Sequence, residues 1–392
     1  MPKIRPAVAE LGPWLVDLRR RLHQCPEPGY GEVKTAALIR AELAALGYDS
    51  LGPFGRTGLT AIFDSGRAGA TAAFRADMDG LEITEPGAGP WASQNPGFMH
   101  ACGHDFNMAL MLGLARLAAL GGLSPALGGR LMFIFQPAEE GGGGAEAMLA
   151  DGLFTAGSRP DFIFAGHAEP RRPPGRLIIN SGPIMAGVLD FHITITGRGG
   201  HAGMPHSAVN PLPALGRLAT ALTGYAPPDG ALLALTIVRG GERTNVIPPE
   251  AYLAGTARWH TDAARQALKS FVEQTCAGES GRGGLAVELA WRDGYPPTIN
   301  DPEAAARVRE VGQGLLAPGM VTAEKPSFGG EDFSFFLEQV PGVFLFLGTG
   351  GPGCNAPLHS PEFQINEEAL PLGLEFWARV AEEFLIRSNA PA

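Results

Sequence analysis

Leucines at 11, 15, 18 and 22 recur at helical spacing and predict an amphipathic first helix. A second follows, with Ile39, Leu43 and Leu46 on one face and Gly47 as its stop. Beyond it, short apolar runs alternate with helices. Residues 59–64, 71–77, 130–136 and 161–166 read as strands, and 144–151 as a short helix. Residues 105–120 form a helix apolar almost all round, which predicts burial. Apolar strands between buried helices predict an α/β domain with a mostly parallel sheet covered on both faces.

The pattern changes near residue 188. Phe191, Ile193 and Ile195 alternate strictly with Asp190, His192, Thr194 and Thr196, so one face of that strand is wet. Asn210-Pro211 opens a helix carrying Leu212, Leu215, Leu218 and Leu222. Strands at 232–238, 251–258 and 284–291 and a helix at about 261–276 complete a β-α-β-β-α-β order, the ferredoxin-like unit. The first texture resumes after Pro296, with a helix at 302–316, a strand at 343–348 and a helix from about 367. The expected organisation is a catalytic domain of residues 1–185 and 296–392, with residues 186–295 inserted as a lid and dimerisation domain.

At 392 residues and 45% hydrophobic, the chain is long enough for two or three domains with a large core. The 89 glycines and prolines (55 + 34) punctuate apolar runs instead of forming tracts, as in loops of a folded enzyme. Thirty basic against forty acidic residues give −10, which argues against nucleic acid or an anionic membrane as the main partner. No apolar stretch is long enough to cross a membrane, and no apolar signal core follows the N-terminus. Cys25, Cys102, Cys276 and Cys354 are scattered without paired spacing, which predicts a reducing cytoplasm and free thiols.

Four stretches carry chemistry. His100-Ala101-Cys102-Gly103-His104-Asp105 opens the buried helix, and Cys102 and His104 can reach one metal cluster from a turn. A Cys and a His near a turn are more often packing residues. Gln136-Pro137-Ala138-Glu139-Glu140-Gly141 ends a very apolar strand, where two acids are awkward to bury unless paired or metal-bound. Extended backbone would point the two carboxylates opposite ways, one to a metal and one to substrate as a general base. A solvated acidic loop is the plainer reading. His167 ends the strand at 161–166, and His359 lies in Pro357-Leu358-His359-Ser360-Pro361. Cys102, His104, Glu140 and His167 all follow predicted strands, where open α/β sheets place their sites. Together these residues predict a two-metal site that ionises water.

Two further stretches fall in the inserted domain. Gly197-Arg198-Gly199-Gly200-His201-Ala202 formally fits a loose dinucleotide pattern, but the alternating strand before it and the lack of an acid about 20 residues on argue against that. The glycines suit a turn that presents His201. Arg258 ends a strand and could pair with a substrate carboxylate or form a surface salt bridge. Asn245-Val246-Ile247-Pro248 is the second stretch.

These motifs resemble the aminoacylase/carboxypeptidase family of dinuclear metallopeptidases, within it the amidohydrolase subfamily of hippurate and indoleacetyl-amino-acid hydrolases. Further landmarks are Leu18-Arg19-Arg20 with Leu22-His23, Pro26-Glu27-Pro28-Gly29, Phe74 to Leu81, Gly255 to Arg258 and Gly329 to Phe333. They run in family order over nearly the whole chain. The resemblance implies two divalent ions (Mn, Zn, Ni or Co) held by Cys102 as the bridging ligand, where the wider family uses Asp, and by His104, Glu140, His167 and His359. It implies Glu139 as general base, Asp77 orienting a ligand from behind, and Arg75 where the wider family has a ligand His. From the lid, His201 would reach an active site, that of the partner subunit, and bind the oxyanion, with Asn245 and Arg258 on the substrate carboxylate.

The implied activity is hydrolysis of an N-acyl amino acid, a small-molecule substrate, by a homodimer or higher homo-oligomer joined through the lid. Rivals are a dipeptidase, a carboxypeptidase or a biosynthetic N-acetyl deacetylase on the same scaffold, and a non-catalytic metal- or amino-acid-binding protein. Three positions depart from the family pattern. Asn107 replaces a usual His, Asn210 a common Asp, and Ala168-Glu169-Pro170 follows His167.

Overall fold

A computed structural model describes residues 4–87, 89–155 and 158–387. The chain divides into two compact units, one of residues 1–184, 299–325 and 332–392, the other of 185–298 and 326–331. The segment 326–331, which the strand-and-helix texture put with the first domain, packs with the second. Gly329 accepts the Ala186 amide at 3.0 Å, and His260 bonds the Ser327 carbonyl at 2.8 Å while stacking on Phe328.

The first unit is built on an eight-stranded sheet in the order Ser50–Phe54, Gly58–Asp64, Arg130–Gln136, Thr71–Asp77, Phe162–Glu169, Gly342–Gly348, Leu177–Ile178, Val321–Thr322. The third to sixth strands are parallel to one another, and antiparallel strands flank them. These central strands read as continuous apolar runs because helices cover both faces. Every residue of His104–Ala119 up to Ala115 is buried, as its all-round apolar pattern predicts. Phe74 in the central strand packs at a tilt against Phe164, ring centres 5.3 Å apart, and meets Trp377 of the last helix edge-on at 5.8 Å. Aromatic pairs of this kind add about 0.5–1.5 kcal/mol to the burial itself. The strand Ser50–Phe54 escaped the periodicity because Gly52 and Pro53 interrupt it, and an edge position tolerates Pro.

The parallel strands set the site. Thr71–Asp77, Arg130–Gln136 and Phe162–Glu169 end on the same edge of the sheet. The loops after the first two and the last residues of the third therefore converge there.

The second unit holds a four-stranded antiparallel sheet in the order Ala231–Gly240, Glu250–Trp259, Gly187–Thr196, Ala286–Asp293. Helices Leu212–Thr223 and Asp262–Glu279 follow the first and third of these strands in the chain, giving a β-α-β-β-α-β order. In Gly187–Thr196 burial alternates residue by residue, with Leu189, Phe191, Ile193 and Ile195 fully buried. Its first helix starts at Leu212, with the Asn210 side chain accepting the Leu212 amide at 3.0 Å, so Asn performs the capping that Asp would. Among the described residues no helix is long and apolar enough to cross a membrane.

Phe74→Ala should destabilise the first unit by about 3–5 kcal/mol. Urea unfolding of the purified chain measures this.

Candidate metal centre

Each donor is placed by a different local device. Cys102 and His104 straddle Gly103, which caps the buried helix at φ 83°, a conformation that favours glycine. A Cβ there would also meet the Ala168 Cβ at 2.7 Å. His167 lies within the strand Phe162–Glu169, opposite Phe346, and its Nδ1 bonds the Ala168 carbonyl at 2.8 Å. That bond leaves Nε2 for the site. His359 sits at φ 62°, its amide held by the Ala101 carbonyl at 2.9 Å. A non-glycine residue in this region persists only where the surroundings impose it.

Glu139 and Glu140 are not on extended backbone. They occupy a tight turn in which Gly141 donates to the Glu139 carbonyl at 2.7 Å and Ala138 has φ 51°. The two carboxylates therefore converge instead of opposing each other. Glu140 Oε1 and Glu139 Oε2 lie 3.9 and 4.0 Å from His104 Nε2.

Two donor triads overlap on one sulfur. Cys102, His104 and His167 form the first, and Cys102, Glu140 and His359 the second, with donor atoms in each within 4.8 Å of one another. Cys102 Sγ lies 3.2 Å from His167 Nε2 and 3.3 Å from His359 Nε2, and Glu140 Oε1 lies 3.2 Å from His359 Nε2. Donors bound tetrahedrally to one ion at ordinary bond lengths stand about 3–4 Å apart, so these separations fit. Among the described residues His104 Nε2 is buried with no hydrogen-bond partner, which is the signature of a nitrogen reserved for a metal. The mixture of thiol, imidazole and carboxylate suits borderline divalent ions.

The electrostatics agree. Burial pushes the Cys102 thiol well above its usual range, and Glu140 and Glu139 add to the rise. Burial opposes charge on His104, yet Asp77 and Asp79 outweigh it and raise the ring to about 10. A hydrogen bond to Glu140 raises His359. Without metal, this pocket holds protons.

Asp77, expected to orient a ligand, accepts from Arg75 at 2.7 Å and from Asn107 at 2.9 Å, with Oδ2 3.7 Å from His104 Nε2. The residue that fixes the far nitrogen of His104 is Asp79. Its carbonyl lies 2.8 Å and its Oδ1 3.3 Å from His104 Nδ1, and its Oδ2 accepts the Glu140 amide at 2.9 Å. Arg75 is fully buried, bonding Asp77, Gln136 and Asp332. Asp79, Gln136 and Asp332 stood inside recognisable motifs, but one of the three contacts of Asp79 is made by its backbone carbonyl, which residue type cannot signal.

In the second unit, His201 and Asn245 lie beside each other on a small ribbon, Gly200–His201 paired with Val246–Ile247. The Asn245 carbonyl accepts the Ala202 amide at 3.0 Å, and both side chains are exposed. Gly203 donates to His201 Nδ1 at 3.0 Å, so the neutral ring carries its proton on Nε2. Arg258 lies on the four-stranded sheet instead. It is half-buried, its Nη1 has no hydrogen-bond partner among the described residues, and burial lowers its pKa.

Comparison with known proteins identifies the scaffold. Residues 73–383 match the model of peptidase family M20/M25/M40. The chain belongs to this family. It is 36% identical to an N-acetylcysteine deacetylase of Bacillus subtilis, over 94% of this chain and 96% of that one. It is 34% identical to an IAA-amino acid hydrolase (ILR1-like 4) of Arabidopsis thaliana, over 96% and 87%. A solved dinuclear metal-binding peptidase of the M20 family from Bacillus subtilis superposes with TM-score 0.85 and 33% identity, covering 96% of this chain and 99% of that one. This family member is a metal-dependent hydrolase and binds two divalent metal ions.

Metal binding should release protons, since the Cys102, His104 and His359 groups that hold them without metal must give them up. Apparent affinity should therefore fall as pH falls, about tenfold per pH unit for each proton released. Chelator competition at several pH values checks this, and a pH-independent affinity would contradict it.

Proposed function

We propose that the protein hydrolyses the amide bond of N-acyl amino acids, releasing a carboxylic acid and a free amino acid. The observation that carries this reading is the pair of triads sharing Cys102, with a further carboxylate, Glu139, 4.0 Å from His104. Cys102, His104 and His167 would hold one ion, and Cys102, Glu140 and His359 the other. Bound there, the ions supply Lewis acidity that acidifies a water and polarises an acyl carbonyl. Glu139 takes the proton of the attacking water and delivers it to the leaving nitrogen. His201, with its proton on Nε2, donates to the oxyanion as charge develops.

Arg258 supports an acidic substrate. A half-buried guanidinium with an unmet donor is costly until an anion arrives, and an α-carboxylate supplies a bidentate partner. Asn245 adds a neutral donor beside His201. The similarity to the deacetylase and the amino acid hydrolase supports the substrate class; acyl group and amino acid follow from assay. The native ion is one of Mn, Zn, Ni or Co. Four free cysteines support a cytoplasmic setting. The edge strand Ala231–Gly240, with Val238 half-exposed, supports a homodimer or higher homo-oligomer through the second unit.

Glu139→Gln should retain both metals and lose nearly all turnover on a panel of N-acetyl, N-benzoyl and dipeptide substrates. Near-parental turnover would remove Glu139 as base, and a preference for dipeptides would replace the substrate class. His201→Ala should lower kcat by about 10²–10³ without changing metal content, the scale of losing one oxyanion donor. An unchanged kcat would take His201 out of the reaction.

A further inference from the structure

Glu32 occupies the N-cap position of the helix Val33–Ala45 yet makes no capping hydrogen bond with its side chain. Glu27 performs that work, accepting the Lys34 and Thr35 amides at 3.1 and 2.9 Å. The Glu32 carboxylate is instead fully buried. Its Oε1 accepts the Ala138 amide at 2.9 Å and the Tyr30 amide at 3.0 Å, and its Oε2 accepts the Thr57 hydroxyl at 2.5 Å.

Those partners are unusual. Among the described residues, the non-glycine residues at positive φ are Tyr30, Arg56, Ala138 and His359. Two of the four bond Glu32 directly, and a third, Arg56, adjoins Thr57. Each is a conformation that needs outside support. Ala138 is also confined from other sides. Its carbonyl accepts the Gly142 and Gly144 amides, both at 3.2 Å, and its Cβ would stand 3.0 Å from a Cβ on Gly29. On the other side of Glu139, the Glu140 amide is held by Asp79 at 2.9 Å. Two buried carboxylates thus grip the amides immediately before and after Glu139.

We infer that Glu32 and Asp79 form a positioning clamp on the residue 138–140 turn, aiming Glu139 and Glu140 at their work. The inference rests on Glu139 acting as the general base. Within the turn Glu32 holds Ala138, on the Glu139 side, while Asp79 holds the Glu140 amide, so Glu32 bears chiefly on the aim of the base. Asp79 also holds His104, so it bears on the metal as well. A side chain held about 1 Å off line can lose about a hundredfold in rate.

The test compares Glu32→Ala, Glu32→Gln, Ala138→Gly and Asp79→Ala with Glu139→Gln. Glu32→Ala should lower kcat about tenfold to a hundredfold, with KM little changed and two metals per chain retained by elemental analysis. Glu32→Gln keeps an acceptor for both amides and can donate to Thr57, so it should recover most of that loss. Ala138→Gly removes the Cβ that opposes φ 51°. Its melting temperature should hold or rise while kcat falls about tenfold, because the turn is no longer confined. Asp79→Ala should weaken metal retention about 10–100-fold in chelator competition, measured without substrate. If Glu32→Ala lowers only the melting temperature, or Glu32→Gln is as impaired as Glu32→Ala, Glu32 is structural and the clamp is wrong. Should Glu139→Gln be inactive while Glu32→Ala and Ala138→Gly keep parental kcat, the clamp fails and the base stands. Should Glu139→Gln keep turnover, the base falls with the clamp.

Discussion

A buried thiol, two buried imidazoles and two mostly buried carboxylates in one place lose hydration together, and an apolar core does not restore it, while the third imidazole, His359, stays half-exposed. The sharing of Cys102 Sγ between two donor triads concentrates that penalty on one atom. Two divalent ions compensate it in this family. The fold supplies the rest by rigidity: the parallel strands, the buried helix after Gly103 and the strained His359 fix the donors before any ion arrives. Preorganisation of this kind moves the cost of assembling the site into folding, where burial of Phe74, Phe133, Phe164 and their neighbours offsets it.

The shell behind the donors is as polar as the site itself. Arg75 lies under it and joins Asp77, Gln136 and Asp332, while Asp332 also accepts the Ala145 amide at 3.0 Å. Beside the ligand helix, Asp105 accepts from His23 at 2.7 Å and faces Arg19 at 2.8 Å, both fully buried. Burial opposes charge on Asp105, but Arg19 and His23 hold its carboxyl well below the usual range. This pair docks the first helix onto the start of the ligand helix. It gives the Leu18-Arg19-Arg20, Leu22-His23 landmark its physical purpose. Removing one member of such a pair leaves a buried charge uncompensated, typically at a cost of about 3–5 kcal/mol.

Hydrophobic period made most of the elements legible, because the core of each unit is built from one-sided helices and from strands that are apolar either throughout or at alternate positions. The candidate donors were legible only as a set, since each alone has a plainer reading, and the structure brings Cys102, His104, Glu140, His167 and His359 into two overlapping groups. What periodicity could not convey was local backbone geometry. The turn at Ala138 depends on Glu32, over a hundred positions away, and on a close approach by Gly29. Extended backbone was the natural expectation after a strand, and it placed the two glutamates on opposite sides. The same blindness hid Asp79, whose carbonyl orients His104, and put 326–331 with the other unit, since that segment is held through its carbonyls by the Ala186 amide and the His260 ring.

Asn107 shows how far the shell constrains the site. The family usually has His there, and either side chain can donate to Asp77. Asn107 Nδ2 does so at 2.9 Å, but among the described residues its buried Oδ1 has no hydrogen-bond partner, an imperfection of about 1–3 kcal/mol. An amide also cannot take up a proton, whereas an imidazole can. Asp77 therefore draws a neutral hydrogen bond from Asn107 and its fixed positive charge from Arg75. Arg75 stays charged at any physiological pH, so the support behind His104 has one charge state where a His at 107 would allow two. The substitution leaves the candidate ligands in place and removes a titrating group from their surroundings.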